Sequence, residues 1–367
     1  MKKNRILIIK PSSIGDIFHV FPGLVAFKEK YPNCEIHWLV DERFESAVKL
    51  FSSNIVIHSV NRRKLKIFSH IFGGWACRYF LKKIGQFKFD YILDLSFRAS
   101  DVDAVKYLNS SICGLSKKAL DQLTGEVLIT NSEVSGHYDN AVDLPSGWEE
   151  IEFKTLPYVN LYKFLLLESG KSYLDESVEL AAPEEKKNPV VRVLNSCDKI
   201  KKENYCLFFH SSSGTVKNWK LEYWSELAVM MQAKGIQVCL PWGSSAEKAR
   251  AEAIAKDNSS CYVMPKLSIE ELTYWIQCSQ FVIGCDTGFT HLASLCNKPV
   301  IQIWGPITKN AGIPSQNSRD LVSEMDCAPC GKTNYCKMLG GEKNIDPPCY
   351  NSMPPHKVMD LLAEVMS

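Results

Sequence analysis

Twice in this chain a short apolar run breaks into a loop of small hydroxyl residues and glycine, then into an amphipathic helix. The first opening is Arg5-Ile-Leu-Ile-Ile-Lys10, the loop Pro11-Ser-Ser-Ile-Gly-Asp16, and a helix over 17–30 with Ile17, Val20, Phe21, Leu24 and Phe27 on one face. Pro22 falls in its early turns and predicts some distortion there. The second is Tyr205-Cys-Leu-Phe-Phe-His210, the loop 211–220 and a helix from about Glu222 to Lys234. A strand follows each, Glu35 to Val40 and Ile236 to Leu240. A β-loop-α-β unit builds a parallel sheet covered by helices. The chain therefore reads as α/β, two Rossmann-like doubly wound domains facing a central cleft. The boundaries are 1–182, a proline-bounded polar linker at 183–204, a second domain at 205–352 and a terminal helix at 353–367. The first loop holds only Gly15, not G-x-G-x-x-G, which argues against a nicotinamide dinucleotide enzyme.

The stretch from Phe281 to Pro306 is the most site-like. Phe281 to Ile283 is a buried strand, Asp286-Thr287-Gly288 turns the chain, 291–295 is helical, and Val300 to Trp304 is a second strand. The first N–H groups of a helix have no intrahelical partner and carry partial positive charge, so an anion can sit there. Gly288 lets a diphosphate approach without a Cβ in the way. The competing account is a capped turn with no ligand. Ser211-Ser-Ser-Gly-Thr-Val-Lys217, with Ser212 and Ser213, is a plausible phosphate cradle after a strand. Helices are also expected to about Lys256, over 269–278 and over 101–108, with strands at 89–95 and 261–264. Residues 114–160 are weakly patterned, with a helix start expected within 135–143 and an apolar helix at 161–169.

With 43 Lys+Arg against 41 Asp+Glu, the charge balance argues against a dedicated nucleic-acid binder. Met1-Lys-Lys-Asn-Arg5 leads straight into a short strand rather than a secretory h-region, and no apolar run reaches membrane-spanning length. Of 14 cysteines, Cys206, Cys239 and Cys285 lie in apolar runs; they are expected to be reduced cytosolic thiols. Residues 46–89 contain no Asp or Glu, but carry Arg62, Arg63, Lys64 and further basic residues among aromatics. That suits an anionic membrane surface or an acidic lipid; a solvated helix face is the alternative.

The ordered motifs K-P-S-S-I-G-D (10–16), H-S-S-S-x3-K-x-W (210–219), P-W-G-x3-E (241–247) and D-T-G-x2-H (286–291) resemble those of the ADP-heptose:lipopolysaccharide heptosyltransferases, glycosyltransferase family 9, and most nearly the heptosyltransferase I type. The resemblance covers nearly the whole chain. It implies an inverting glycosyltransferase of GT-B fold, with an acceptor-binding first domain and an ADP-sugar-binding second domain. It makes Asp16 the catalytic base and gives Lys217 the phosphate and sugar, Glu247 the nucleoside, and Asp286, Thr287, Gly288 and His291 the diphosphate and heptose. The chemistry suits these types. One base takes the acceptor proton, and a cation with helix N–H groups holds the departing diphosphate without a metal. For His291 a satisfied helix histidine, and for Asp16 a plain helix cap, remain the alternatives.

The resemblance implies ADP-heptose as donor, the Kdo inner core of lipopolysaccharide (Kdo-lipid A) as acceptor, and a cytoplasmic enzyme peripheral to the anionic inner membrane. A second heptose or a protein as acceptor, or a non-catalytic nucleotide-sugar-binding protein, are the alternatives. Cys327, Cys330, Cys336 and Cys349 form a C-x2-C-x5-C-x12-C run in a Gly/Pro-rich segment. This fits a structural tetrahedral site, zinc by default, or four reduced thiols. Related heptosyltransferases that modify autotransporter proteins carry a four-Cys iron site. Gly331-Lys332-Thr333 is not a Walker A loop, since the first glycine would fall at Asp326.

Overall fold

The computed structural model describes residues 5–30, 32–51, 54–61, 84–95, 111–115, 140–142, 204–313, 315–341 and 346–366. The chain divides into two compact units, Met1–Val178 and Glu179–Ser367. Residues 183–203 of the expected linker, the helices at 101–108 and 161–169, and Arg62, Arg63 and Lys64 lie outside the described residues.

In the first unit, strands β1 (Arg5–Ile9), β2 (Glu35–Asp41), β3 (Val56–Val60), β4 (Tyr91–Asp94), β5 (Ser111–Leu115) and β6 (Asn140–Val142) form one sheet in the order β3-β2-β1-β4-β5-β6. Every pairing is parallel. Ile6 to Ile9 are all buried, as expected of a strand covered on both faces. Helix α1 (Ile14–Lys30) buries Ile17, Phe18, Val20, Phe21 and Leu24, a stripe at helical spacing. The Phe21 ring meets Trp38 of β2 edge-on at 6.4 Å and Phe51 of α2 (Glu45–Phe51) at 5.1 Å. α1 runs continuously past Pro22 and begins three residues earlier than the apolar pattern predicts. The reason is local. Ser13 accepts the Ile17 N–H at 3.0 Å, and Asp16 Oδ2 reaches back to the Ser13 N–H at 2.9 Å, the returning half of a capping box. Asp16 therefore sits in the first turn of a helix, not in a loop. Residues 140–142 are a strand, where the sequence suggested a helix start.

The second unit repeats the plan. Strands β7 (Tyr205–Phe209), β8 (Gln237–Leu240), β9 (Cys261–Val263), β10 (Val282–Cys285), β11 (Val300–Trp304) and β12 (Ser318–Val322) are ordered β12-β11-β10-β7-β8-β9, all parallel. The helices are α3 (Leu221–Ala233), α4 (Ser245–Ala255), α5 (Ile269–Cys278), α6 (Gly288–Leu295) and α7 (Pro355–Met366). Each has a chemical start or stop. α4 and α5 open with full capping boxes, Ser244/Glu247 and Ser268/Glu271. α3 stops at Gly235, whose φ of +69° allows Ile236 N–H to reach the Met231 carbonyl at 3.0 Å. Trp219, Trp224, Leu227, Phe208 and Ile301 form the centre of the core, and α7 packs on α3, β11 and β12. Cys206 and Cys285 are buried free thiols within this core. Gly284 sets how closely α6 lies on β10, because a Cβ there would stand 2.1 Å from Thr290 Oγ1. Thr290 Oγ1 instead donates to the Cys285 carbonyl at 2.9 Å. Counted from its own first strand, each sheet has the order 3-2-1-4-5-6. These are two Rossmann-like units, the GT-B fold.

A histidine pair in the first unit makes its stability pH-dependent. His37 Nδ1 and His58 Nε2 share a hydrogen bond of 2.8 Å, with Phe87 and Phe89 against the rings. Burial and then the His37 charge push His58 down to about 4; burial, opposed by Glu35, also lowers His37. A base with a lowered folded pKa is neutral in the fold, while the unfolded chain takes up the proton first. Its stabilisation is complete above about 6.5 and is lost as pH falls from there to about 4. Denaturant titrations should therefore show a loss of about 1–2 kcal/mol from His58 over that window, after discounting for solvent screening of a half-buried ring. His58→Gln should flatten the profile; an unchanged slope would count against the pair.

Candidate active site

The switch point of a doubly wound sheet lies between its first and fourth strands, where the connections leave toward opposite faces. In the second unit this is the junction of β7 and β10, and three candidate side chains meet there. Lys217 ends a 3-10 turn (Thr215–Lys217) in the loop after β7. Its Nζ lies 2.9 Å from Oδ2 of Asp286, the residue after β10. His291 Nε2 lies 3.2 Å from the other oxygen, Oδ1. The Lys217 and Asp286 side chains are each only 14% exposed. Burial opposes the charge on Asp286, but the Lys217 ammonium and the His291 contact outweigh it and hold the carboxyl well below the usual carboxylate range. Ser212 Oγ donates to the Asp286 carbonyl at 2.8 Å, tying the hydroxyl loop to the same turn.

Thr287 is the N-cap of α6; its side chain makes no capping bond, while its carbonyl takes the Thr290 and His291 N–H groups at 3.1 and 3.3 Å. Gly288 opens that helix. The cluster thus offers an ammonium, two hydroxyl-bearing segments and a helix N-terminus, a set suited to a phosphate. Ser213 is exposed in the same loop.

Glu247 is the N3 residue of α4. Its Oε2 accepts from the Gly243 and Ser244 N–H groups at 2.6 and 2.9 Å, so capping occupies one oxygen. Oε1 has no partner among the described residues. Asp16, after β1 in the first unit, shares this arrangement. Its Oδ2 takes the Ser13 N–H and lies 3.5 Å from the ammonium of Lys10, whose side chain is 2% exposed. Its Oδ1 has no partner among the described residues. Lys10 belongs to the first motif, yet its pairing with Asp16 is visible only in three dimensions.

The four cysteines converge. Cys327, Cys330, Cys336 and Cys349 line one cavity of about 20 Å³, with Tyr335, Pro306 and Val216 of the Lys217 turn among its other walls. All four are free thiols. Burial first, then the other three thiols, push Cys349 up to about 12. Among the described residues no group of three or more His, Cys, Asp or Glu side chains is set at metal-holding geometry.

The chain is similar to known proteins. The model of glycosyltransferase family 9 (heptosyltransferase) matches residues 159–338. Lipopolysaccharide heptosyltransferase 1 of Pseudomonas aeruginosa is 24% identical over 99% of this chain and 98% of its own length. Among solved structures, E. coli heptosyltransferase WaaC with ADP-2-deoxy-2-fluoro heptose superposes with a TM-score of 0.71, at 20% identity, covering 98% of this chain and 99% of that one. The iron-containing dodecameric glycosyltransferase TibC of enterotoxigenic E. coli H10407 superposes at 0.54, with 12% identity, over 99% of this chain and 76% of its own. Read with the four ordered motifs and the two-sheet fold, these matches make the chain similar over nearly its whole length to the heptosyltransferases, with residues 159–338 matching the model of glycosyltransferase family 9.

Proposed function

We propose that the protein transfers L-glycero-D-manno-heptose from ADP-heptose to the Kdo inner core of lipopolysaccharide, with inversion at the anomeric carbon. The observation that carries this reading is the Lys217–Asp286–His291 cluster at the switch point of the second sheet. The hydroxyl loop, Lys217 and the N-terminus of α6 hold the donor diphosphate. Asp286 steers the lysine and lies against His291, which faces the heptose with Thr287 and Gly288. Glu247 accepts ribose hydroxyls on Oε1, the oxygen its helix cap leaves open.

The first unit supplies the base. An acceptor hydroxyl oxygen attacks the anomeric carbon while the bond from that carbon to the diphosphate oxygen breaks. The hydroxyl proton passes to Asp16, and the electron pair of the broken bond leaves with ADP. Lys217 and the helix N–H groups take up that charge, so the reaction draws on no metal. Oδ2 of Asp16 is fixed by Ser13 and Lys10, which aims Oδ1. Asp16→Asn keeps the size of the side chain, and a neutral amide cannot take the proton. We expect kcat to fall about 10²–10⁴-fold, with ADP-sugar affinity nearly unchanged. Near-normal kcat in a folded variant would reduce Asp16 to a helix cap, a role asparagine fills nearly as well.

The acceptor is a lipid, and the reading places the enzyme in the cytoplasm, on the cytoplasmic face of the inner membrane. Among the described residues no helix is long and apolar enough to cross a membrane. Attachment is assigned to the basic aromatic stretch with Arg62, Arg63 and Lys64. Changing these three to Glu should weaken pelleting with anionic vesicles and raise acceptor KM, leaving donor KM in place. Unchanged pelleting and KM would make the stretch a solvated face.

The four cysteines are read as a structural site for one zinc or iron ion. The donor set is all sulfur, and the cavity they share is about 20 Å³, room for one small guest. A cation would also reverse the disfavour of the Cys349 thiolate, since ligating thiols deprotonate. Protein purified without added metal should carry about one zinc or iron per chain by elemental analysis. No metal, with four freely titratable thiols, would leave them as plain cysteines.

A further inference from the structure

The loop that carries Ser212 and Lys217 is spanned end to end by one side chain that no motif includes. Arg250 of α4 donates its Nε–H to the His210 carbonyl at 3.2 Å and an Nη2–H to the Trp219 carbonyl. His210 directly follows β7, and Trp219 closes the loop ahead of α3. A guanidinium is planar and offers its N–H donors in a fixed fork, so one side chain sets the spacing of the two loop ends.

Other bonds make this spacing matter. The Trp219 N–H points at Cys285 Sγ at 3.3 Å, and its indole donates to the Met353 carbonyl at 3.0 Å. Inside the loop, Asn218 Oδ1 takes the Ser212 N–H at 2.7 Å, and Lys217 N–H bonds to the Gly214 carbonyl at 3.0 Å. On the outer side Gly214 lies so close to Thr333 that a Cβ would stand 2.6 Å from the Thr333 carbonyl oxygen. With both ends fixed and the middle tied across, Lys217 has little choice but to meet Asp286.

Arg250 does not earn its place as an ion pair. Among the described residues no carboxylate lies within 4 Å of its guanidinium, and its acceptors are the two carbonyls. Burial lowers its pKa, with Cys285, Asp346, Glu222 and Tyr350 opposing. A half-buried cation satisfied by two carbonyls is a costly way to fill space, and it is a good way to hold two backbone segments.

We propose that Arg250 is a positioning residue for glycosyl transfer, clamping the ends of loop 210–219 so that Lys217 is presented to the donor diphosphate. This rests on the reading that Lys217 holds that diphosphate. The test is a double-mutant cycle on the full chain, with ADP affinity measured by titration calorimetry. Arg250→Lys keeps the charge but loses the fork. We expect it to weaken ADP binding about 10-fold in the native background and by no more than about 2-fold beside Lys217→Ala. Equal losses in both backgrounds, or no loss in the native one, would overturn the clamp. If Lys217→Ala alone leaves ADP affinity intact, the diphosphate assignment fails instead, so the two failures are distinguishable. Arg250→Gln, which retains one donor, serves as the second variant should the lysine form fold poorly. Its loss of affinity should likewise vanish beside Lys217→Ala, and persistence of the loss there would count against the proposal.

Discussion

A parallel sheet spends its backbone hydrogen bonds inside the ladder and is covered on both faces, so chemistry has to be carried at the strand ends. Asp16, Lys217 and Asp286 lie at the carboxyl end of a sheet's first strand or of its neighbour across the order reversal, while Glu247 stands apart, at the start of α4 after β8. Asp16 follows β1, the Lys217 loop follows β7, and Asp286 follows β10, which pairs with β7. Connections from adjacent strands diverge there, leaving room for a ligand. The site is set by topology before any particular side chain is considered.

Helix capping then fixes how the acidic residues present themselves. Asp16 and Glu247 each stand three residues after a serine at a helix start and give one oxygen to backbone N–H groups. What remains is a single oriented oxygen on a carboxylate that cannot rotate freely. Glu271 has the same relation to Ser268, with its Oε2 on the Ser268 N–H at 2.7 Å, yet it belongs to α5 and not to a motif of the site. The capping pattern alone therefore does not mark function. A cap at the switch point, with a buried lysine beside it as Lys10 is beside Asp16, is a more selective signal.

The repeated units and the candidate motifs were legible in the sequence because both are local. The limits of α5 and β11 coincide with the apolar pattern, and α1 differs only where Asp16 takes up a capping role. β12 was not anticipated because Ser318-Arg-Asp-Leu-Val322 buries only Leu321 and has a polar composition. β6 is three residues long, too short for any period to show. The hidden parts of the site are those made at long range. Arg250 works on carbonyls 40 and 31 positions away. Val216, in the turn that ends with Lys217, forms a wall of the cysteine cavity although the cysteines are more than 100 positions further on. Backbone acceptors leave no mark in side-chain pattern, so neither relation could be read from residue types.

The Lys217–Asp286 pair shows what these constraints are for. A partly buried ion pair is a weak source of stability, since the cost of taking both charges from water nearly offsets their attraction. Its value lies in geometry. An unpaired lysine on a flexible four-carbon stem would sample many positions and lose that entropy on meeting a phosphate. Here the loss is incurred on folding. Asp286 holds the ammonium at 2.9 Å, Ser212 fixes the turn that carries Asp286, and Arg250 fixes the ends of the loop that carries Lys217. The carboxylate does not cancel the lysine toward a diphosphate, because the uncapped start of α6 adds positive potential on the same turn. On the proposed reading the second unit meets the donor with a cation already in position, and this is the condition under which fixed charge lowers the barrier to a departing anion.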